Sequence, residues 1–279
     1  MGLLGCGAGQ GHGRSSGGGD SPLVLTADLA GQTITREEVL VWEARRLQVV
    51  ADRMNGQLPA ALVRDLAALL LRRAEDISNI AQERNLLADA KLRAGDAAMR
   101  QLVAGDLLLT NLLSTAAAAI PHWSTSEIDL FSSRGTAEGF AAWFTRRAIT
   151  LDDQRSMLIA CPDHYLLHGT EPSRQELIEV TGGAVLASQF VIDYSATADL
   201  PIVIDPDFPV RFSGAAINPS GVVIGGTNHR MRTLAKGFQL HASIFFPSTL
   251  PFWFATEHRW HLACEFSNWI EAYIAETGD

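Results

Sequence analysis

The sequence predicts an α+β protein in which a helical N-terminal region precedes a curved antiparallel sheet wrapped on a long C-terminal helix. Apolar residues recur at helical spacing through residues 35–121. After residue 121, β-branched and aromatic runs alternate with Gly, Pro and Asp turns, and helical spacing returns near the C-terminus. With 279 residues, 47% of them hydrophobic, the chain can bury the core of one large domain or two modest ones.

Three helices are predicted in the N-terminal region. They run from Thr35 to Gly56, from Pro59 to about Gly95 and from about Ala97 to Ile120. Thr35 followed by Glu38 is a capping-box signature, and a proline such as Pro59 suits the first turn of a helix. We interpret residues 35–121 as a helical layer that packs on the rest of the protein, or as the surface of a homodimer, with no chemical role.

Six segments of the second region are predicted strands. They are residues 175–181, 187–194, 201–204, 221–224, 229–233 and 238–246. A turn over residues 235–237 would join the last two segments as a hairpin. A final helix is predicted from about Thr256 to Glu276, so that residues 122–279 form a domain with a deep cavity between the sheet and this helix.

Composition argues against several classes of partner. A net charge of -9 and a pI near 5.3 disfavour nucleic acid and anionic membranes, because both need a cationic protein surface. The longest apolar stretch, residues 107–120, is shorter than the ~20 residues that span a bilayer. Three cysteines suit a reducing compartment, and we expect a cytoplasmic protein. Residues 1–22, rich in Gly and Ser, are predicted to be a disordered tail.

The predicted C-terminal helix carries polar residues on the face that should turn inward. At ~100° per residue, His258, His261 and Glu265 fall within an arc of ~60°. Burying a carboxylate is costly unless it is paired or bound to a cation. A metal ion would remove that cost, since His261 and Glu265 present nitrogen and oxygen ligands one helical turn apart. On a solvated helix the same pair would be an ordinary i,i+4 contact, so further ligands are needed.

Candidates for those further ligands lie upstream, at His164, Glu176 and Glu179. Strand alternation puts Glu176 and Glu179 on opposite faces, so only one of the two can point into the cavity. His229, on another predicted strand, is either a hydrogen-bonded structural histidine or a catalytic one. Its unperturbed pKa would suit proton transfer near neutral pH.

The remaining histidines and cysteines receive structural interpretations. We take His122, His168 and His241 as structural or exposed. Cys161 and Cys264 adjoin the proposed ligands and could bind a soft metal, although their small apolar side chains favour a buried neutral role.

Two blocks of the sequence resemble the 2,4-diacetylphloroglucinol hydrolases. One block, Thr227 to Phe246, contains the run His229-Arg-Met-Arg, and the other, His261 to Ile274, begins His-x-x-x-Glu-Phe-Ser-Asn. His164, and Glu179 followed by Gly182-Gly183, stand upstream in the same order as in that family. The resemblance covers roughly residues 130–279. The stretch that carries a tyrosine before the first histidine ligand of the family corresponds to residues 155–160, which contain none.

This resemblance implies a fold, an activity and a set of ligands. The family cleaves a carbon–carbon bond between an acyl group and a phenolic ring, using a small helical N-terminal part and a Bet v 1-like domain with zinc in its cavity. Carried over, it implies that His164, Glu179, His261 and Glu265 bind Zn²⁺ or another divalent metal. It also implies a substrate-contacting or proton-transferring role for His229.

The sequence therefore predicts a metal-dependent hydrolase that acts on an acylated phenol or a related β-dicarbonyl compound. Six aromatic residues are candidates for the wall of a cavity that takes such a small aromatic or ketone substrate. They are Trp143, Phe190, Phe245, Phe246, Phe252 and Trp253. Two alternatives remain, a non-catalytic protein that binds hydrophobic ligands and a metal-free polyketide cyclase. Metal content separates the hydrolase from both.

Overall fold

The computed structural model describes residues 22–67, 69, 73, 75–120, 122–150, 153–181, 185–197 and 200–279, and these ranges contain nine strands and seven helices. The strands are β1 Leu25–Leu29, β2 Gln32–Thr35, β3 Trp123–Ser132, β4 His164–Glu171, β5 Arg174–Glu179, β6 Ser188–Asp193, β7 Val210–Ile217, β8 Val223–Thr233 and β9 Phe238–Pro247. The helices are α1 Arg36–Gln57, α2 Ala60–Val63, α3 Ile80–Leu102, α4 Ala104–Ala117, α5 Ala137–Thr145, α6 Gln154–Leu158 and α7 Phe252–Thr277. Except for Pro22, the predicted tail lies outside the described residues, as do Gly182 and Gly183.

All nine strands belong to one antiparallel sheet. Its order is β2-β1-β3-β9-β8-β7-β6-β5-β4, so strands that follow one another in the chain from β4 to β9 are also neighbours in the sheet. Helix α7 packs on the sheet, against β3 in particular. The α+β class, the antiparallel sheet and the packing of the C-terminal helix on it are confirmed.

Strands β4 and β5 are covered on both faces. Leu177 belongs to the core between the sheet and α7. Its neighbour Ile178 belongs to a second core, formed with α1 and α3. The N-terminal helices therefore lie behind β4 and β5, on the face opposite to α7. Among the described residues, no helix is both long and apolar enough to cross a membrane.

The boundaries of the N-terminal helices differ in part from the prediction. Thr35 caps α1 in a capping box with Glu38, as expected. The predicted helix from Pro59 to Gly95 is wrong, because α2 ends at Val63 and a new helix, α3, begins at Ile80. Gly95 lies within the range of α3, but its φ of 79° is non-helical, so the helix is interrupted at the predicted boundary.

The strand prediction was correct for β5, β6 and β9. It missed β1, β2, β3, β4 and β7, and it misjudged two further segments. Residues 201–204 are not a strand: Pro201 has no amide hydrogen to donate, and the carbonyl of Val203 accepts from the side chain of Asn228. Residues 221–224 and 229–233 belong mainly to one continuous strand, β8, which the glycines 225 and 226 do not interrupt. The turn at Gly237 joins β8 to β9 as predicted, with φ at 73°.

Candidate metal centre

Helix α7 delivers His261 and Glu265 to the interior, as their spacing predicted. His261 is 1% exposed and Glu265 is 8% exposed. Their side chains approach one another across one helical turn, with 3.7 Å between His261 Nε2 and Glu265 Oε2. A buried carboxylate in this position needs a positively charged partner.

Strands β4 and β5 deliver His164 and Glu179. The two residues are direct cross-strand partners, so their side chains leave the sheet side by side on one face. A register shift between His164 and Leu166 makes Tyr165 an extra residue of β4. Because of this bulge, His164 faces α7, whereas Tyr165 and Leu166 both belong to the core beneath the N-terminal helices.

Four ligand atoms converge between these elements. The Nε2 atom of His164 lies 3.3 Å from Nε2 of His261, 3.3 Å from Oε2 of Glu265 and 3.6 Å from Oε2 of Glu179. His261 Nε2 lies 3.8 Å from Oε2 of Glu179. In a tetrahedral site with bonds of ~2.0–2.2 Å, neighbouring ligand atoms are roughly 3.3–3.6 Å apart. The four side chains are therefore spaced to hold one ion of the size of Zn²⁺.

Cys161 offers a second donor set with the two histidines. Ligand atoms of Cys161, His164 and His261, all buried, lie within 4.8 Å of one another and could hold a metal ion. The thiol, however, contacts Nδ1 of His261 at 3.8 Å, on the opposite edge of the ring from Nε2. The thiol and the two carboxylates therefore face different nitrogen atoms of His261.

A hydrogen bond orients the ring of His164, and a carboxylate faces the ring of His261. Nδ1 of His164 lies 2.9 Å from the carbonyl oxygen of Met157, so this nitrogen donates and Nε2 keeps its lone pair. Nδ1 of His261 faces Asp163, 4.0 Å from Oδ2. Arg46 of α1 binds Asp163 through both Nε and Nη2, at 2.7–3.0 Å. An N-terminal helix thus holds the carboxylate that faces a candidate ligand.

Lys91 of α3 braces the turn that leads into His164. Its ammonium group is buried and donates to the carbonyl oxygens of Pro162, at 2.7 Å, and His164, at 2.5 Å. Together, Lys91 and Arg46 connect the N-terminal helices to the metal centre. The N-terminal helices pack on the rest of the protein as interpreted, and Lys91 and Arg46 also link them to the candidate centre.

The protonation of the donor set also points to a cation. Burial opposes protonation of His261, but the charge of Glu179 and the hydrogen bond with Glu265 prevail and raise the pKa of His261 to about 9. Burial opposes ionisation of Glu265, yet its close contacts with His164 and His261 hold its pKa below the ordinary value. The donor set therefore requires positive charge, which a proton on His261 or a metal ion can supply.

The choice between Glu176 and Glu179 follows from strand alternation. Glu176 faces the N-terminal helices, where Arg100 donates two hydrogen bonds to it, each of 2.8 Å. Gln189 donates a third, at 2.7 Å. Its carboxylate is already fully paired, so Glu179 is the member of the pair at the centre.

The candidate centre borders an apolar cavity, whose empty space is about 1040 Å³ when the part open to solvent is included. Glu179 and Glu265 line this cavity, together with Phe190, Phe245 and Phe246 of the predicted aromatic set. The other three aromatics do not line it. Trp143 is buried and donates to Glu276, while Phe252 and Trp253 are 84% and 47% exposed.

His229 lines the cavity but is not poised to titrate near neutral pH. The backbone N–H of Ser243 donates to its Nδ1 at 3.2 Å, which places the proton of the neutral ring on Nε2. Burial lowers the pKa of His229 to about 4. The expectation of an unperturbed pKa is wrong, and at neutral pH the ring offers an N–H donor to a ligand.

His258 is a cavity residue that sequence reasoning did not assign to the site. It is 3% exposed, and its ring stacks on that of His261 with 5.0 Å between the centroids. Within the described part of the chain, its Nδ1 has no hydrogen-bond partner. Its place on the same helical arc as His261 and Glu265 was the available signal. Of the histidines expected to be structural or exposed, His122 is exposed, whereas His168 and His241 lie beside carboxylates.

Comparison with protein-family profiles and with curated proteins identifies no family for the chain. No protein-family profile matches the chain, and no curated protein matches it. The geometry of the centre and its cavity is therefore the basis for a functional proposal.

Proposed function

We propose that this protein is a metal-dependent hydrolase that cleaves a carbon–carbon bond of an acylated phenol or a related β-dicarbonyl compound. The observation that carries the proposal is the convergence of His164, Glu179, His261 and Glu265 at one end of an apolar cavity, with ligand atoms 3.3–3.8 Å apart. Zinc is the metal we propose, because the donor set contains nitrogen and oxygen atoms at tetrahedral spacing.

The fold and the two sequence blocks support the same assignment. An antiparallel sheet that packs on a long C-terminal helix is the arrangement expected of a Bet v 1-like domain. Both blocks that resemble the 2,4-diacetylphloroglucinol hydrolases, Thr227 to Phe246 and His261 to Ile274, contribute to the centre or its cavity. We therefore propose membership of a Bet v 1-like hydrolase group related to that family.

The reaction class follows from the chemistry of the centre. A divalent ion bound by these four side chains supplies Lewis acidity toward an acyl carbonyl and toward water. Overall, the hydroxyl of water joins the acyl carbon, the bond to the ring carbon breaks, and the ring carbon takes the remaining proton. The products are a carboxylic acid and the parent phenol.

Residues of the cavity orient the substrate. Phe190, Phe212 and Trp269 line it and provide flat apolar surfaces for an aromatic ring. We assign His229 the role of a hydrogen-bond donor to a substrate oxygen, because its proton is on Nε2 and its pKa of about 4 keeps the ring neutral. In this role it stabilises negative charge that develops on the phenolic part during bond cleavage.

The test is turnover by purified protein loaded with Zn²⁺, Mn²⁺ or Fe²⁺. Acylated phenols and β-diketones are incubated with it, and release of carboxylic acid is measured by chromatography. Activity should fall at least about a hundredfold in His261→Ala and in Glu265→Gln, since loss of a ligand disturbs the metal more than loss of an outer-shell group. Glu176→Gln, on the opposite face of β5, is the matched control and should retain activity.

Other outcomes identify the alternative functions. A non-catalytic carrier would bind aromatic ketones equally before and after chelation and would release no acid. A metal-free cyclase would turn over a polyketide substrate after chelation. Equal activity of Glu265→Gln and the unsubstituted protein would contradict the hydrolase proposal.

A further inference from the structure

Gln175 is a buried polar residue at a distance from the metal centre. It is 2% exposed and lines the cavity. Its side-chain oxygen accepts a hydrogen bond of 3.1 Å from the hydroxyl of Tyr194. Its side-chain nitrogen is buried and has no partner among the described residues. A residue that lines an apolar cavity thus carries two buried N–H groups without a partner among the described residues, and leaving them unpaired is unfavourable.

Strands β5 and β6 form one wall of the cavity in three cross-strand pairs. These pairs are Gln175 with Ile192, Leu177 with Phe190, and Glu179 with Ser188, and all six residues line the cavity. The wall is therefore polar at its two ends and apolar in the middle. The metal ligand Glu179 marks one end and Gln175 marks the other.

The spacing of the strand sets the length of a matching ligand. Four residues of extended chain, from 175 to 179, span ~13 Å. After allowance for a metal–oxygen bond and a hydrogen bond, the two oxygens of a ligand that reaches both ends would be roughly 8–10 Å apart. A single ring with its acyl substituent is shorter than that, whereas two rings joined end to end fill the distance.

We propose that Gln175, oriented by Tyr194, is a specificity-determining residue that donates a hydrogen bond to an acceptor oxygen at the far end of an elongated aromatic ketone. The assignment of the ketone end to the metal centre rests on the proposed function. The far end does not, because it depends on Gln175 and Tyr194 alone. The substrate class is thus an extended aryl ketone with an ether, carbonyl or phenolate oxygen remote from the acyl group.

Binding of matched biphenyl methyl ketones tests this proposal. One probe carries a methoxy group on the far ring, and its control carries an ethyl group of similar shape in the same position. Affinities are measured by titration calorimetry on chelator-treated protein, so the result does not depend on metal or turnover. We expect the methoxy compound to bind about five- to tenfold more tightly, as one buried hydrogen bond provides.

Variants locate the origin of that preference. Gln175→Met removes both N–H groups at similar volume and should bring the two probes to equal affinity, while Tyr194→Phe should reduce the preference by freeing the amide to rotate. Gln189→Met, whose parent amide donates to Glu176 behind the sheet, is the matched control and should keep the preference. Equal affinities in the unsubstituted protein, as expected if an ordered water satisfies Gln175, would overturn the proposal. So would tighter binding of a probe with an amino group on the far ring.

Loss of turnover and loss of this preference are separate results. If the methoxy preference exists but no metal-dependent hydrolysis is found, the proposed function fails and the role of Gln175 in ligand selection stands. If hydrolysis is found and Gln175→Met leaves both KM and the probe preference unchanged, the inference about Gln175 fails alone.

Discussion

At the scale of single residues, the environment of each side chain decides its chemistry more than its type does. His229 and His261 are both buried histidines on the same side of the sheet. Burial lowers the pKa of His229 to about 4, whereas the two nearby carboxylates outweigh burial and raise that of His261 to about 9. One ring therefore donates a hydrogen bond as a neutral group, and the other lies where positive charge is required.

His229 should make the fold sensitive to acid. Its pKa is about 4 in the folded protein and 6.5 ordinarily, so between these values the unfolded chain binds more protons and stability falls as pH falls. The contribution of His229 lowers the free energy of unfolding by about 3 kcal/mol at pH 4. Urea unfolding is measured from pH 7 to pH 4 on chelator-treated protein. The free energy of unfolding should fall less steeply with pH in His229→Gln than in the unsubstituted protein. Exposed His122→Gln is the control, and parallel curves for His229→Gln and the unsubstituted protein would contradict the assignment.

The sequence could bring side chains together where the candidate ligands share one element. His261 and Glu265 could be paired because the helical period fixes which side chains are neighbours. The role of Asp163 could not be read in the same way, because its partner Arg46 is 117 positions away in the sequence. A weaker signal was available for Lys91, a charged residue at a core position of α3 next to Leu87 and Ala90.

At the scale of secondary-structure elements, the centre depends on how β4 and α3 meet. The bulge in β4 turns His164 toward α7, and Lys91 of α3 fixes the carbonyl groups that flank the turn before it. Alternation of side chains along β5 could be predicted, and with it the opposition of Glu176 and Glu179. The bulge could not, because Tyr165 becomes an extra residue only when β4 is paired with β5.

Removal of the Lys91 brace should weaken both the fold and the metal site. Lys91→Met leaves two buried carbonyl oxygens without their donor and should lower the free energy of unfolding by about 1–3 kcal/mol. It should also weaken metal binding, because the turn that positions His164 is no longer held. Chemical denaturation and metal titration measure the two effects. The chain has one other lysine, exposed Lys236, and Lys236→Met should change neither quantity.

At the scale of the whole molecule, the candidate metal centre lies where three parts of the fold meet. His164 and Glu179 come from the edge of the sheet, and His261 and Glu265 come from α7. Arg46, which binds Asp163 beside His261, comes from the N-terminal helices. An ion bound there connects elements that are far apart in the sequence. Metal binding should therefore stabilise the native state as a whole.

Chelation should accordingly lower the melting temperature. An ion present at about 1000 times its Kd adds about 4 kcal/mol to the stability of the folded state. For a chain of this size, the corresponding shift in Tm is on the order of 10 °C. Calorimetry with and without chelator measures it. His261→Ala should melt at one temperature under both conditions, and a chelator effect of equal size in that variant would place the metal elsewhere.

The most direct test of the account is the metal content of the purified full-length protein. Elemental analysis after dialysis should find one zinc or other transition-metal ion per chain in the unsubstituted protein and in Glu176→Gln, and much less than one in Glu265→Gln. An unsubstituted protein that takes up no such ion even when Zn²⁺ is supplied, or a Glu265→Gln variant that retains a full equivalent, would contradict the assignment of this centre.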